Sequence, residues 1–142
     1  MLTIEGLCQA PGELSWTALD ALCEGDARVD HTETLSAKVR GEGVRLSAVL
    51  ARVRPLAAAT HVMIYDDGEY RACLAIADAH AAVLAHRSDG APLADAAGGP
   101  VRLLVPTSAN ACLSVKRVTR IALLDHAEAD TVPRPTTPLR PR

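Results

Sequence analysis

The histidines, cysteines and clustered acids of this chain carry its chemical capacity, and their spacing limits what they can do. Asp30, His31 and Glu33 fall within one short run. Imidazole beside carboxylate suits acid–base work or a hard metal. On an extended chain His31 and Glu33 share a face while Asp30 points away. That supplies two converging ligands where a metal site needs three or four. A solvated or hydrogen-bonded strand edge is the simpler account, and no metal is expected there. His80 and His86 are six residues apart, out of the i, i+4 register of helical metal ligands. His61 and His126 have no nearby partner, and all four are expected at the surface. Cys8, Cys23, Cys73 and Cys112 show no C-x-x-C spacing and are expected as buried small hydrophobes. Ser108, Asn110 and Ser114 gather hydroxyl and amide groups, with no histidine and acid companion for a triad. No G-x-S-x-G, H-E-x-x-H, phosphate-loop or dinucleotide fingerprint occurs.

Any such group must be held by a core of unusual make-up. Hydrophobic residues form 49% of the 142, yet there is no Phe, and Trp16, Tyr65 and Tyr70 are the aromatic residues. Leu, Val, Ile and Ala must therefore fill the interior, which demands close backbone packing. The shortage also argues against base stacking on aromatic platforms. A net charge of -2 gives no electrostatic reason to expect nucleic acid or an anionic membrane. No apolar run reaches the roughly 18 residues a membrane span requires. The opening Met1–Glu5 has neither the basic patch nor the apolar run of a secretory signal, so a cytoplasmic location is expected.

Periodicity outlines short elements. Residues 2–7 read as a strand, followed by a Pro11-Gly12 turn. Ser15 is placed to cap a helix carrying Trp16, Leu19, Leu22 and Cys23 on one side. Residues 27–38 read as extended. A second helix spans 46–53, ending before Pro55. Residues 62–65 and 70–74 form a hairpin around Asp66-Asp67-Gly68. Residues 76–83 read as a helix, 84–86 and 101–105 as strands, and 115–124 as a final strand. From Thr131, Pro133, Pro135, Pro138 and Pro141 alternate with Arg and Thr. These readings give one domain over 1–130 and an extended or disordered Pro/Arg-rich tail over 131–142. Short strands, short helices and many turns predict an α+β fold with mixed β-sheets.

Several segments, in order, resemble the oxidoreductase molybdopterin-binding domain of the sulfite oxidase superfamily. Leu2-Thr-Ile-Glu-Gly-Leu with Pro11 and Leu14 is similar to that domain's opening. Gly43-Val44-Arg45-Leu46 before Ala48-Val49-Leu50 is similar to its G-V-P-L-x-x-L-L segment. Asp67-Gly68 and Ala77-Asp78-Ala79 resemble its D-G hairpin and the helix after it. Asp89-Gly90-Ala91-Pro92-Leu93 resembles its N-G-x-P-L turn. Gly98-Gly99-Pro100-Val101-Arg102-Leu103-Leu104-Val105-Pro106 resembles its G-x-P-x-R-L-x-V-P strand, and Ser114-Val115-Lys116 with Arg120-Ile121 its closing strand. The resemblance implies a pterin dithiolene holding molybdenum together with one protein cysteinate. It also implies a phosphate gripped by basic, hydroxyl and backbone groups.

The departures alter that expectation. The family's cysteine position falls on His31, and no cysteine lies within seven residues of it. Imidazole carries no negative charge and cannot simply replace a thiolate. Ala97 stands where the family has His, Leu113 where it has a basic residue, and Arg117 where it has Trp. The 107–113 loop contains no Gly. Arg102, Ser114 and Lys116 survive as expected cofactor- or anion-binding residues, with ordinary solvated strand residues as the plainer reading of the same positions. The leading expectation is a cytoplasmic, degenerate member without molybdenum redox activity and without a cofactor. It would bind a small anion or act as an interaction module, with an anionic small molecule or a redox partner protein as the expected partner. The alternative is an active molybdopterin-dependent oxidoreductase whose metal is held by the dithiolene alone or with His31.

Overall fold

The opening strand, β1 (Leu2–Gly6), buries Leu2 and Ile4 and leaves Thr3 and Glu5 partly exposed, as a strand with one face on a core does. In this computed structural model, which describes residues 2–35, 39–106 and 114–132, β1 lies inside a five-stranded sheet. It pairs antiparallel with β2 (Gly12–Leu14) and parallel with β10 (Arg120–Leu124). Beyond β10 come β5 (His61–Tyr65) and β6 (Arg71–Ala75), both antiparallel. A second, antiparallel sheet joins β3 (Arg28–Val29), β4 (Glu42–Arg45), β7 (Val83–Ser88) and β8 (Ala91–Pro92), with β9 (Arg102–Leu104) also on β7. One mixed and one antiparallel sheet with three short helices make the α+β fold expected from the sequence.

Helix α1 (Trp16–Ala21) starts at Ser15, whose Oγ accepts a hydrogen bond from the Ala18 backbone N–H at 3.1 Å. Helix α2 (Leu46–Val53) buries the stripe Leu46, Val49, Leu50 and Val53 and stops one residue before Pro55. These side chains join Leu2, Ile4, Val62, Ile64, Leu84, Leu103 and Ile121 in one aliphatic core. A smaller cluster of Val39, Ala85, Leu93 and Leu104, with Leu35 and Ala97 against it, fills the other face of the second sheet.

Three expectations need correction. Helix α3 (Ile76–Ala81) ends before Val83, which opens β7 paired to both Arg45 and Leu104, so tertiary pairing overrides the helical alanine run. The extended segment expected over 27–38 shrinks to β3. Thr32 turns inward, its N–H donating to Gly41 O at 3.0 Å and its hydroxyl to Val39 O at 2.8 Å, and the chain curls into a 3-10 turn over Thr32–Thr34. The last strand begins at Arg120, not Val115. Val115 makes an isolated bridge to Leu103, and Arg117 adopts a left-handed φ of 48° that turns the chain. Of the tail expected over 131–142, residues 133–142 lie outside the described residues, and Val132 is buried in the main core.

Candidate functional site

Four strands set the frame. Val29, Gly43, Ala85 and Arg102 stand in one row across the second sheet, each paired to the next. At the β9 end, Arg102 is 8% exposed. Its Nε donates to Ser114 Oγ at 2.8 Å and its Nη1 to Ala97 O at 3.0 Å. Both partners are neutral, and no carboxylate among the described residues pairs with it. Burial consequently pushes the guanidinium below its ordinary pKa, desolvation being the cause. The expected trio is thus partly assembled: Arg102 and Ser114 are bonded, and Lys116 lies close by.

Gly98 brings Lys116 in. Its φ is +92°, and a Cβ placed there would sit 2.9 Å from both Arg102 Cδ and Lys116 Cγ. Only a glycine lets the two basic stems approach across the same α-carbon. The Gly98 carbonyl accepts the Arg117 N–H at 2.8 Å, and the Arg117 guanidinium is 3.3 Å from Asp67 and 3.6 Å from Asp95. The position where the resemblance has Trp therefore tethers two turns beside Lys116. Ser108, Asn110, Cys112 and Leu113 lie outside the described residues.

At the other end of the row, His31 follows β3 and begins the 3-10 turn. Its side chain is 73% exposed, with Nδ1 3.3 Å from Glu33 Oε2. It lines an open groove of about 840 Å³ with Asp30, Glu33, Arg40, Glu42 and Asp89 among its walls. Asp30 is not turned away; it shares the groove and pairs with Arg28. That pairing holds the Asp30 carboxyl below its ordinary range. Arg87 does the same for Glu42, its Nε and Nη2 bonding both carboxylate oxygens at 2.9 and 2.8 Å. Among the described residues no group of three or more His, Cys, Asp or Glu is placed to hold a metal. Three strand spacings, about 14 Å, separate the two ends of the row.

Behind the groove is a network that the sequence did not disclose. His86, expected at the surface, is 0% exposed. Its Nε2 lies 2.7 Å from Asp20 Oδ1, and the same oxygen accepts Arg87 Nη1 at 2.9 Å. Trp16 Nε1 donates to the His86 carbonyl at 2.7 Å, with the two rings 5.6 Å apart. His86 Nδ1 is buried without a partner. A carboxylate facing Nε2 and nothing facing Nδ1 place the ring proton on Nε2. Through Arg87, Glu42 and Arg28 this chain of contacts runs from the core to the groove floor. One signal was available: Trp16 and Asp20 are i, i+4 on one helix and so share a face.

Comparison with known proteins supplies the context. The fold matches the crystal structure of the sulfane dehydrogenase SoxCD from Paracoccus pantotrophus, with a TM-score of 0.61 at 18% identity over 89% of this chain. This chain spans 38% of the length of that one. No curated protein matches it. The oxidoreductase molybdopterin binding domain family matches over residues 1–132. The ordered segments, the two sheets and the row ending in Arg102 all lie within that match, and the chain belongs to the oxidoreductase molybdopterin binding domain family.

Proposed function

We propose that this chain binds a small phosphate-type anion at Arg102, Ser114 and Lys116 and does not carry out molybdenum redox chemistry. The observation that supports it is Arg102: a desolvated cation whose described partners are a hydroxyl and a carbonyl, both neutral. An anion would supply the missing charge, and Arg can meet a phosphate through two parallel N–H groups. Lys116, whose stem meets that of Arg102 at Gly98, is in reach to add a point charge.

The residues fit the phosphate end of a molybdopterin and not its metal end. A molybdenum centre of the kind the resemblance implies takes a soft thiolate. His31 instead faces water beside Glu33, in a groove walled by four carboxylates, those of Asp30, Glu33, Glu42 and Asp89. Of the described thiols, Cys8 and Cys23 are buried and pushed up in pKa by desolvation, and Cys73 lies in the other sheet. The competing reading, an active molybdopterin oxidoreductase, draws on the same groove at His31. Docking on a redox partner through an apolar face has less support, since Leu56 is the exposed large hydrophobic side chain among the described residues.

Protein purified from a molybdate-supplied host distinguishes these readings. Elemental analysis should find no stoichiometric molybdenum, and acid oxidation should release no fluorescent pterin. Calorimetric titration with inorganic phosphate should show binding that Arg102→Gln abolishes. Stoichiometric molybdenum, or phosphate binding indifferent to Arg102, overturns the proposal.

A further inference from the structure

The outer edge of a sheet is a template for another strand unless something covers it. Among the described residues β6, with five residues, is the longest edge strand; β2 at the opposite edge of its sheet and β9 have three each, and β3 and β8 have two each. Three backbone groups of β6 that face outward, the N–H and C=O of Arg71 and the N–H of Cys73, are already taken. Thr131 N–H donates to Arg71 O at 3.1 Å, Arg71 N–H donates to Thr131 Oγ1 at 2.8 Å, and Cys73 N–H donates to Asp130 Oδ2 at 2.6 Å. The two bonds that take N–H groups of β6 end on side-chain oxygens, so this segment imitates a strand without being one. Val132 then anchors it in the main core, at 7% exposure.

We propose that Asp130–Val132 is a strap that withholds the β6 edge from a second copy of this chain. The edge is self-complementary. A two-fold axis at Cys73 sets Arg71 opposite Ala75 of the other copy and Ala72 opposite Leu74, so no like charges meet. The Cys73 N–H already points outward, as a hydrogen-bonded pair on that axis requires. Main-chain pairing needs no apolar patch, which suits a surface whose exposed large hydrophobic residue, among those described, is Leu56. The axis also faces Cys73 with its own counterpart. Hydrogen-bonded antiparallel residues sit with Cα atoms about 5.5 Å apart, inside the roughly 4.4–6.8 Å that a disulfide spans, and their Cβ atoms, about 5.5 Å apart, must close by about 1 Å to reach the separation a disulfide requires.

The test compares the full chain with Asp130→Ala/Thr131→Pro, which removes both side-chain caps and the Thr131 N–H while keeping Val132. Circular dichroism checks that the variant is folded, and a milder Asp130→Ala single variant serves if it is not. Sedimentation velocity should find the full chain monomeric and the strap variant dimeric. Treatment with diamide, a thiol oxidant, should cross-link the variant dimer and not the full chain, and Cys73→Ser should abolish the cross-link. A folded strap variant that stays monomeric overturns the proposal. So does a dimer that does not cross-link through Cys73, or a full chain that cross-links as readily as the variant.

Discussion

Arg102 and Lys116 bring their aliphatic stems together at Gly98, where a Cβ would lie 2.9 Å from a carbon of each. Two basic side chains rising from one point, with no carboxylate among the described residues bonded to Arg102, favour an anion that can join them. Gly98→Ala tests that geometry directly. The added methyl must displace both stems and must tolerate a φ of +92°. The expected cost in stability is about 1–3 kcal/mol. Phosphate affinity should fall by at least about tenfold, or about 1.4 kcal/mol. Calorimetry and thermal melts measure the two effects separately, and unchanged affinity would dissociate the turn from the anion site.

Ser114→Ala isolates the other half of the site. It leaves Arg102 Nε buried without its oxygen acceptor, and a lost partner to a charged donor costs about 1.5–3 kcal/mol. Inorganic phosphate should recover part of that loss, because an anion offers the guanidinium a replacement acceptor. Denaturant melts with and without phosphate read the difference; a variant as stable as the parent contradicts the buried-donor argument.

Asp20 is predicted to matter more to folding than its position near the end of a short helix suggests. Its Oδ1 serves both His86 and Arg87. Asp20→Ala leaves the fully buried His86 ring without a partner on either nitrogen, for an expected loss of about 2–4 kcal/mol. His86→Phe, which removes the polar ring, should cost less, and the two substitutions together less than their sum. Nitrogen-15 spectra should show His86 protonated on Nε2, and an Nδ1–H tautomer would reverse the assignment.

How legible these features were follows the range of the forces behind them. The segment from Gly98 to Pro106 and the cap at Ser15 were legible because turn, strand and cap chemistry acts over a few residues. The curl after β3 was not, because it depends on where the Thr32 hydroxyl and N–H go, and their acceptors, the carbonyls of Val39 and Gly41, lie further along the chain. His86 was misplaced at the surface because its partner is 66 residues away in sequence, on α1. Val132 escaped notice because the prolines after it dominate the composition, while its own side chain decides where the segment docks. Arg102, Ser114 and Lys116 are candidates on their flanking motif alone, and the meeting of the Arg102 and Lys116 stems at Gly98 is seen only in the fold.

Acid should weaken the groove floor in a way that depends on two arginines. Asp30 is lowered from 3.8, first by its hydrogen bond from Arg28, and Glu42 from 4.5, first by its hydrogen bonds from Arg87. A carboxyl with a depressed folded value binds protons more readily in the unfolded chain. Its contribution is therefore fully present above the ordinary carboxyl range and is lost as pH falls through the folded value. Thermal midpoints taken from about pH 5 downward follow this loss. The double variant Arg28→Gln/Arg87→Gln should lose less stability across it than the parent, since its carboxyls return toward ordinary values. Added salt should narrow that difference, because the pairs lie at the protein surface and are screened. Parallel acid limbs for parent and variant would place the acid sensitivity elsewhere in the molecule.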